Sequence, residues 1–226
     1  MAFSPEEYRQ AVDDYEKGWQ ATDTALYDLC RRYPNHTDRG GVNAKLWIIG
    51  RTYATGIERK IRTNNQQGGS MSKLAECLSK HAIRLDALFS RLRDVQEPLD
   101  ISKLRTIIDI HGQFIALIQP ELRHTHHSPR SFASKYMHFH CRAVPIIDTF
   151  ADWALRKAAR WQKSFWLFNP ATGGDEYYAT YVFRFWHLYQ EAIAVGVKPK
   201  VKHLDYFLLC AAASSQTHNN GLSPPK

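Results

Sequence analysis

Apolar residues recur every three to four positions along most of the chain, which is the spacing of one face of an α-helix. Over 74–95 and again over 104–118, these steps continue long enough to predict two long packed helices. A similar apolar face predicts a helix over about 42–62, which the polar stretch 62–70 ends. No segment alternates apolar and polar residues over the length of a strand, so the pattern predicts no sheet.

Start and stop signals place the other helices. Ser4 and Pro5 favour a helix that runs to about Lys17, and a second helix should follow Thr22 and end before Pro34. Further helices are predicted after Pro129 and over about 149–161, 175–195 and 201–213. We therefore predict an all-α fold, an irregular bundle of about nine helices, with a single domain over 1–211 and a flexible C-terminal tail over 212–226.

The segment 131–155 raises the main functional question. Ser131, Lys135 and His138 share a polar helix face, while the aromatic residues of the same segment fall on another face that should pack inward. A short turn follows, and Asp148 then stands where a helix N-cap belongs. Lys135 and Asp148 either solvate and cap two separate helices or meet in one active site, and the residue pattern by itself leaves both possibilities open.

A lysine within a helix, an apolar stretch and then V-P-I-I-D-T at 144–149 resembles the core of the helix-hairpin-helix DNA glycosylases, in particular the 8-oxoguanine glycosylase-like branch. The resemblance covers about residues 128–155. It implies removal of a damaged or modified base from duplex DNA, with Asp148 either stabilising positive charge on the sugar or orienting the nucleophile. It also implies that Lys135 forms a Schiff base with the sugar, which makes strand cleavage possible.

Contacts with nucleic acid are expected around the same segment. The glycines of the family's hairpin are absent here, so we expect free amides at the start of the helix to bind phosphate instead. The candidate contacts are Arg51, Arg59, Ser128, Arg130, Ser131 and His138. For the two arginines near Gly50 and Gly56, a solvated helix face with close packing at the glycines is the alternative.

Two other stretches carry weaker candidates. The aromatic run at 163–178 includes Phe165 and Trp166, which stack on an extruded base in one interpretation and fill the core in the other. Histidines cluster over 124–140, but no ligand spacing typical of a metal site is present, so we predict no metal and no cofactor.

Composition adds a preference for polyanions. The formal net charge is +8, and basic surfaces displace the counterions of nucleic acid, so the charge favours a polyanionic partner; the resemblance implies that this partner is damaged or modified duplex DNA. The four cysteines lie far apart and predict core thiols in a reducing compartment. No stretch matches a signal peptide or a membrane span, which predicts a cytoplasmic protein without membrane contact.

Alternatives to the glycosylase are a non-catalytic nucleic-acid-binding helical protein and a protein-interaction scaffold that uses the leucine face over 74–95.

Overall fold

A computed structural model describes residues 3–61, 71–122, 128–158 and 174–217 of the chain. These ranges contain eleven α-helices, one 3-10 turn and no strand, so the all-α prediction is confirmed for them. The helices are α1 (Pro5–Gly18), α2 (Gln20–Arg32), α3 (Arg39–Thr52), α4 (Ile57–Lys60), α5 (Met71–Lys80), α6 (Ala82–Arg93), α7 (Ile101–Ile118), α8 (Arg130–His140), α9 (Thr149–Ala158), α10 (Glu176–Ala194) and α11 (Val201–Thr217). The last helix therefore extends past residue 211, into the predicted tail.

The predicted helix over 42–62 is wrong in one respect, because the chain leaves the helix between α3 and α4. Ala54 and Gly56 both have a left-handed backbone, with φ of 48° and 65°. Ile49 and Ile57 are nevertheless both buried. The apolar spacing therefore predicted which side chains enter the core but did not reveal the break in the backbone.

The predicted long helix over 74–95 is divided in the same way, into α5 and α6, at the exposed His81. Leu78 and Leu85 are both fully buried, and their separation of two helical turns keeps the periodicity unbroken across the division. The leucines of this segment lie in the protein's own core, which leaves no leucine face for the alternative in which they form a seam for a partner protein.

The centre of the bundle is α8. It packs against α2, α3, α6 and α7, and every residue from Phe132 to Phe139 is buried. Helix α11 packs against α1 and α9, which brings the start of the chain beside its last described helix. The polar face predicted for α8 therefore points into the protein rather than into solvent.

Candidate active site

Lys135 and Asp148 meet. The Lys135 Nζ atom lies 3.6 Å from Asp148 Oδ2, and the two side chains are 9% and 20% exposed. The same ammonium donates a hydrogen bond to the backbone carbonyl of Tyr53 at 3.1 Å. An amine and a carboxylate thus share one partly enclosed position at the junction of α8, α9 and the end of α3.

Asp148 also caps α9. Its Oδ1 atom accepts hydrogen bonds from the backbone N–H groups of Phe150, at 3.0 Å, and Ala151, at 2.9 Å, while Oδ2 faces Lys135. Asp148 therefore both caps a helix and contacts Lys135, since one carboxylate serves the helix with one oxygen and the lysine with the other. The capping bonds fix the direction in which the second oxygen points.

Hydrogen bonds fold the connection between α8 and α9 back onto α8. The Ile147 N–H donates to Ser134 Oγ at 3.1 Å, next to Lys135 in the chain. From α10, the Tyr178 hydroxyl donates to the Pro145 carbonyl at 2.7 Å, and the Tyr181 hydroxyl donates to the carbonyl of Ile146. Successive residues of the connection are thus anchored, and this places Asp148 within reach of Lys135.

The break between α3 and α4 supplies the third side of the site. The helix ends at Thr52, and the carbonyl of the next residue, Tyr53, is consequently free to accept from Lys135. Thr55 N–H bonds back to the Gly50 carbonyl at 3.2 Å, and Gly56 adopts its positive φ before α4 begins. A continuous helix would have used the Tyr53 carbonyl in its own ladder.

Behind this site lies a group of three charged residues, the buried Asp23 and Asp205 and the half-buried Lys202, which we call the ionic cluster. The Lys202 Nζ atom is 3.2 Å from Asp23 Oδ2 and 3.2 Å from Asp205 Oδ2. Asp23 is completely buried and also accepts from the hydroxyls of Tyr15, at 2.9 Å, and Tyr53. Tyr53 therefore contacts Lys135 through its carbonyl and the ionic cluster through its ring.

Asp205 connects the cluster electrostatically to the candidate active site. Burial raises its pKa to about 6, Lys202 and Lys135 oppose that rise, and the charge of Asp148 adds to it. Its Oδ1 atom is buried and has no hydrogen-bond partner in the described part of the chain. The two sites therefore lie close enough to affect each other's charge.

The structure also contains a wholly buried lysine, Lys45, on α3. Its ammonium donates to the Tyr33 carbonyl at 2.8 Å and lies 3.3 Å from His140 Nε2. Burial lowers the pKa of Lys45 to about 8. Because its side chain is fully enclosed, it has no route to a macromolecular substrate, and we assign it a structural role.

The predicted arginine contacts lie on the surface. Arg51 is exposed, lies over the Trp47 ring with its guanidinium 4.1 Å from the ring centroid, and pairs with Glu58 at 3.4 Å. Arg59 is also exposed, on the short α4. At Gly50 a Cβ would lie 2.2 Å from the terminal methyl of Met71, so close packing accounts for that glycine.

The predicted phosphate contacts at the start of α8 are half-buried, unlike the two exposed arginines. The Arg130 Nε–H donates to Asp175 Oδ2 at 2.6 Å, so its charge is already balanced by a carboxylate. Ser128 and Ser131 are half-buried, and Ser128 Oγ has no partner among the described residues. These three residues lie at the same end of α8, as the sequence predicted.

His138 is a correction. It is completely buried, with Nδ1 2.8 Å from the Val144 carbonyl and Nε2 2.6 Å from the Tyr27 hydroxyl. Burial lowers its pKa to about 3, so the ring is neutral at pH 7. A neutral ring without surface contact does not bind nucleic acid, and the prediction that it does so is wrong.

Other candidates fall outside the described residues, namely Phe165, Trp166 and three of the clustered histidines, His124, His126 and His127. Where the chain is described, no group of three or more His, Cys, Asp or Glu side chains could hold a metal ion. Two exposed aromatic side chains lie beside the site among the described residues. Phe150 is 45% exposed in the first turn of α9, and Trp19, 42% exposed, packs beside the Tyr53 ring.

Sequence reasoning missed the ionic cluster and the Tyr53 carbonyl. Asp23 lies in the first turn of α2 and Lys202 in the first turn of α11, where charged residues are ordinarily exposed. Asp205 had one usable signal, because the spacing of Leu204 and Leu208 makes it a neighbour of the buried face. Nothing local to these segments indicates that the three charges meet.

Comparisons of the chain with protein-family models, with curated proteins and with solved structures give no match. A function therefore has to be inferred from the chain's own side chains. In the described ranges, no helix is both long enough and apolar enough to cross a membrane.

Proposed function

We propose that the chain is a DNA glycosylase-like protein that removes a damaged or modified base and cleaves the strand through Lys135. The observation that supports this most directly is the separation of 3.6 Å between Lys135 Nζ and Asp148 Oδ2 in a partly enclosed position. Base excision requires a nucleophile and a nearby negative charge, and these two groups supply both.

The chemistry assigns a role to each group. Asp148 accepts a proton from the Lys135 ammonium, and the neutral amine then attacks C1′ of the sugar. The electron pair of the C1′–base bond leaves with the base, which takes up the proton held by Asp148, so that the Asp148 carboxylate is restored as positive charge develops on the sugar. Transfer of a proton from the new C–N linkage to O4′ opens the ring and gives a Schiff base, and loss of a C2′ proton to solvent then eliminates the 3′ phosphate. The Asp148 carboxylate, fixed by its capping bonds, stabilises the positive charge that develops on the sugar.

The target base must rotate out of the duplex before it can enter the site, and unstacking it costs a few kcal/mol. The formal net charge of +8 favours binding to the phosphate backbone, and Trp19 and Phe150 are exposed aromatic faces near the site. The unidentified base is then recognised by the residues around the Lys135–Asp148 pair.

The decisive experiment is borohydride trapping on a panel of duplexes that carry oxidised, deaminated or alkylated bases, together with an abasic duplex. We expect a covalent complex with the unmodified protein and none with Lys135→Ala. Lys73→Ala, which changes an exposed lysine of α5, is the matched control and should trap normally. Trapping by Lys135→Ala, or an absence of both base release and trapping across the whole panel, contradicts the proposal.

One observation favours a second candidate, a non-catalytic nucleic-acid-binding protein. The Lys135 ammonium is already bonded to the Tyr53 carbonyl and paired with Asp148, so it has to leave both partners before it attacks. Salt-dependent binding to DNA without base release or trapping would identify this candidate. Binding that is equally strong to intact and lesion-bearing duplexes would support it further.

A further inference from the structure

A cavity of about 670 Å³ opens between α2, the end of α6, the end of α8 and the start of α11. Its volume falls within the usual range for small-molecule sites. Four basic side chains and one carboxylate carry its formal charges, and these are Arg93, Arg142, Lys200, Lys202 and Glu97. Neither Lys135 nor Asp148 lines this cavity, which we call the basic cleft.

The charges of the basic cleft are poorly balanced. In the described part of the chain, no carboxylate lies within ion-pair distance of Arg93, Arg142 or Lys200. Glu97 is near enough for the charges of Lys200 and Arg142 to lower its pKa, although burial raises that pKa overall. One of its oxygens is also occupied, accepting from the Val201 N–H at 2.9 Å.

Lys202 forms the inner wall and adds little free charge, because Asp23 and Asp205 both contact its ammonium. The remaining three cations, against the one carboxylate of Glu97, leave a formal excess of two positive charges, which the second carboxylate of the ionic cluster lowers to between one and two. A phosphate monoester carries about −1.5 to −2 charges at pH 7, which matches this excess. A phosphodiester carries a single charge and would leave part of it unbalanced.

Aromatic and polar groups line the rest of the basic cleft. The Arg142 guanidinium lies 4.2 Å from the centroid of the Tyr27 ring, so stacking orients the arginine and leaves its N–H groups free to bind an anion. Gln20, Thr24 and Gln96 supply hydrogen-bonding groups beyond the cations. A cavity of this size holds a nucleoside as well as its phosphate, whereas inorganic phosphate alone would fill little of it.

We propose that the basic cleft binds the phosphate monoester of a nucleotide, either a free nucleoside monophosphate or the phosphorylated end of a strand. The two sources share one chemistry, a phosphate dianion held by Arg93, Arg142 and Lys200. The proposal stands apart from base excision, since the groups assigned to that reaction lie outside the cleft. Lys135→Ala should therefore bind the nucleotide normally.

The test is calorimetric titration of the full chain at about 0.15 M salt, where the screening length is about 8 Å. The ligands are 5′-AMP, adenosine, and one short single strand with and without a 5′ phosphate. We expect 5′-AMP to bind and adenosine not to bind. Arg142→Gln should weaken binding about tenfold, and Arg142→Gln combined with Lys200→Gln about a hundredfold, because each change removes one charge-assisted contact.

The matched control is Lys73→Gln combined with Arg84→Gln, which removes two exposed charges outside the cleft and should leave affinity unchanged. Tighter binding of the phosphorylated strand than of its unphosphorylated form would also support the proposal and identify a strand end as the source. The proposal is overturned if 5′-AMP does not bind and the two strands bind equally. It is also overturned if the control pair of substitutions weakens binding as much as the cleft pair, since the loss of affinity would then come from the lower net charge of the protein and not from the cleft.

Discussion

The ammonium of Lys202 lies 3.2 Å from a carboxylate oxygen of Asp23, and this contact joins the last described helix to the second inside the protein. Asp205 lies at the same distance from that ammonium, so one cation serves two buried carboxylates. Removing one partner from such a group leaves an uncompensated charge in a poorly solvated place, which is more costly than the intact group.

Replacing the cation of the ionic cluster should therefore destabilise the fold. For Lys202→Met we expect a loss of about 3 to 5 kcal/mol in the free energy of unfolding, measured by urea denaturation at pH 7. Lys198→Met, at an exposed lysine nearby, should change it by less than about 0.5 kcal/mol. Equal stability of the two variants would show that Lys202 is solvated in solution.

The two roles of Asp148 are separable. Asn is as good an N-cap as Asp, so Asp148→Asn should cost little stability, whereas Asp148→Ala should cost about 1 kcal/mol because the capping bonds are lost. Under the proposed function, both variants lose the negative charge, and base release should fall about a hundredfold or more. Thermal unfolding and single-turnover base release measure the two effects. If Asp148→Asn released base normally, its carboxylate would be a helix cap and nothing more.

Buried histidines should make the protein sensitive to acid. Burial lowers the pKa of His36 and of His111 to about 4, from 6.5 in an ordinary environment. Between these values the unfolded chain binds protons that the folded chain does not, so stability falls as pH falls from about 6.5 to about 4. Each group should contribute up to about 2 kcal/mol of loss between pH 7 and pH 5.

Urea denaturation at pH 7 and at pH 5 measures this loss. His111→Gln should make the pH dependence shallower, because it removes one buried ring that resists protonation. His81→Gln, at an exposed position, should leave it unchanged. A protein equally stable at both pH values would contradict the burial of these rings.

Asp205 should have the opposite effect on the pH dependence of stability. Its pKa rises to about 6 in the folded protein, from 3.8, so between about pH 4 and pH 6 the folded chain keeps a proton that the unfolded chain releases. Its contribution to stability therefore declines as pH rises through that window. Asp205→Asn removes this opposing contribution, and stability should then fall more steeply on acidification than in the unmodified protein. A shallower dependence in that variant would contradict the raised pKa.

Close packing at Gly41 gives a test of the core. A Cβ there would lie 2.6 to 2.8 Å from atoms of the Tyr33 side chain, so the ring would have to move. We expect Gly41→Ala to cost about 1 to 3 kcal/mol by urea denaturation. Gly18→Ala, where no atom lies within 4 Å of the added Cβ, should instead be neutral or stabilise by up to about 1 kcal/mol. Similar effects of the two changes would mean that Tyr33 is free to move.

Periodicity predicted the core of this protein better than its backbone. The spacing of Leu78 and Leu85 correctly predicted a buried face. It did not predict the division at His81, because the two leucines lie two helical turns apart whether the helix is continuous or divided. The apolar spacing hid the break at Tyr53 for the same reason. The break frees the Tyr53 carbonyl to accept a hydrogen bond, but it does not change which side chains are apolar.

The sequence predicted only the part of the candidate site whose residues lie close together in the chain. Lys135 and Asp148 belong to the one segment 131–155, and the short turn between them left a contact between the two residues possible. Asp23 and Lys202 come from distant helices, and a charged residue in the first turn of a helix has the same local signature whether it is buried or exposed. Only the packing of the helices brings these charges together.

The contact between Asp23 and Lys202 also sets an order of events during synthesis. Asp23 emerges from the ribosome long before α11 is made, and until then its carboxylate has neither Lys202 nor the covering surface of that helix. A nascent chain that stops short of residue 201 therefore lacks the cation that balances Asp23, and it should remain a substrate for chaperones until the last described helix has emerged.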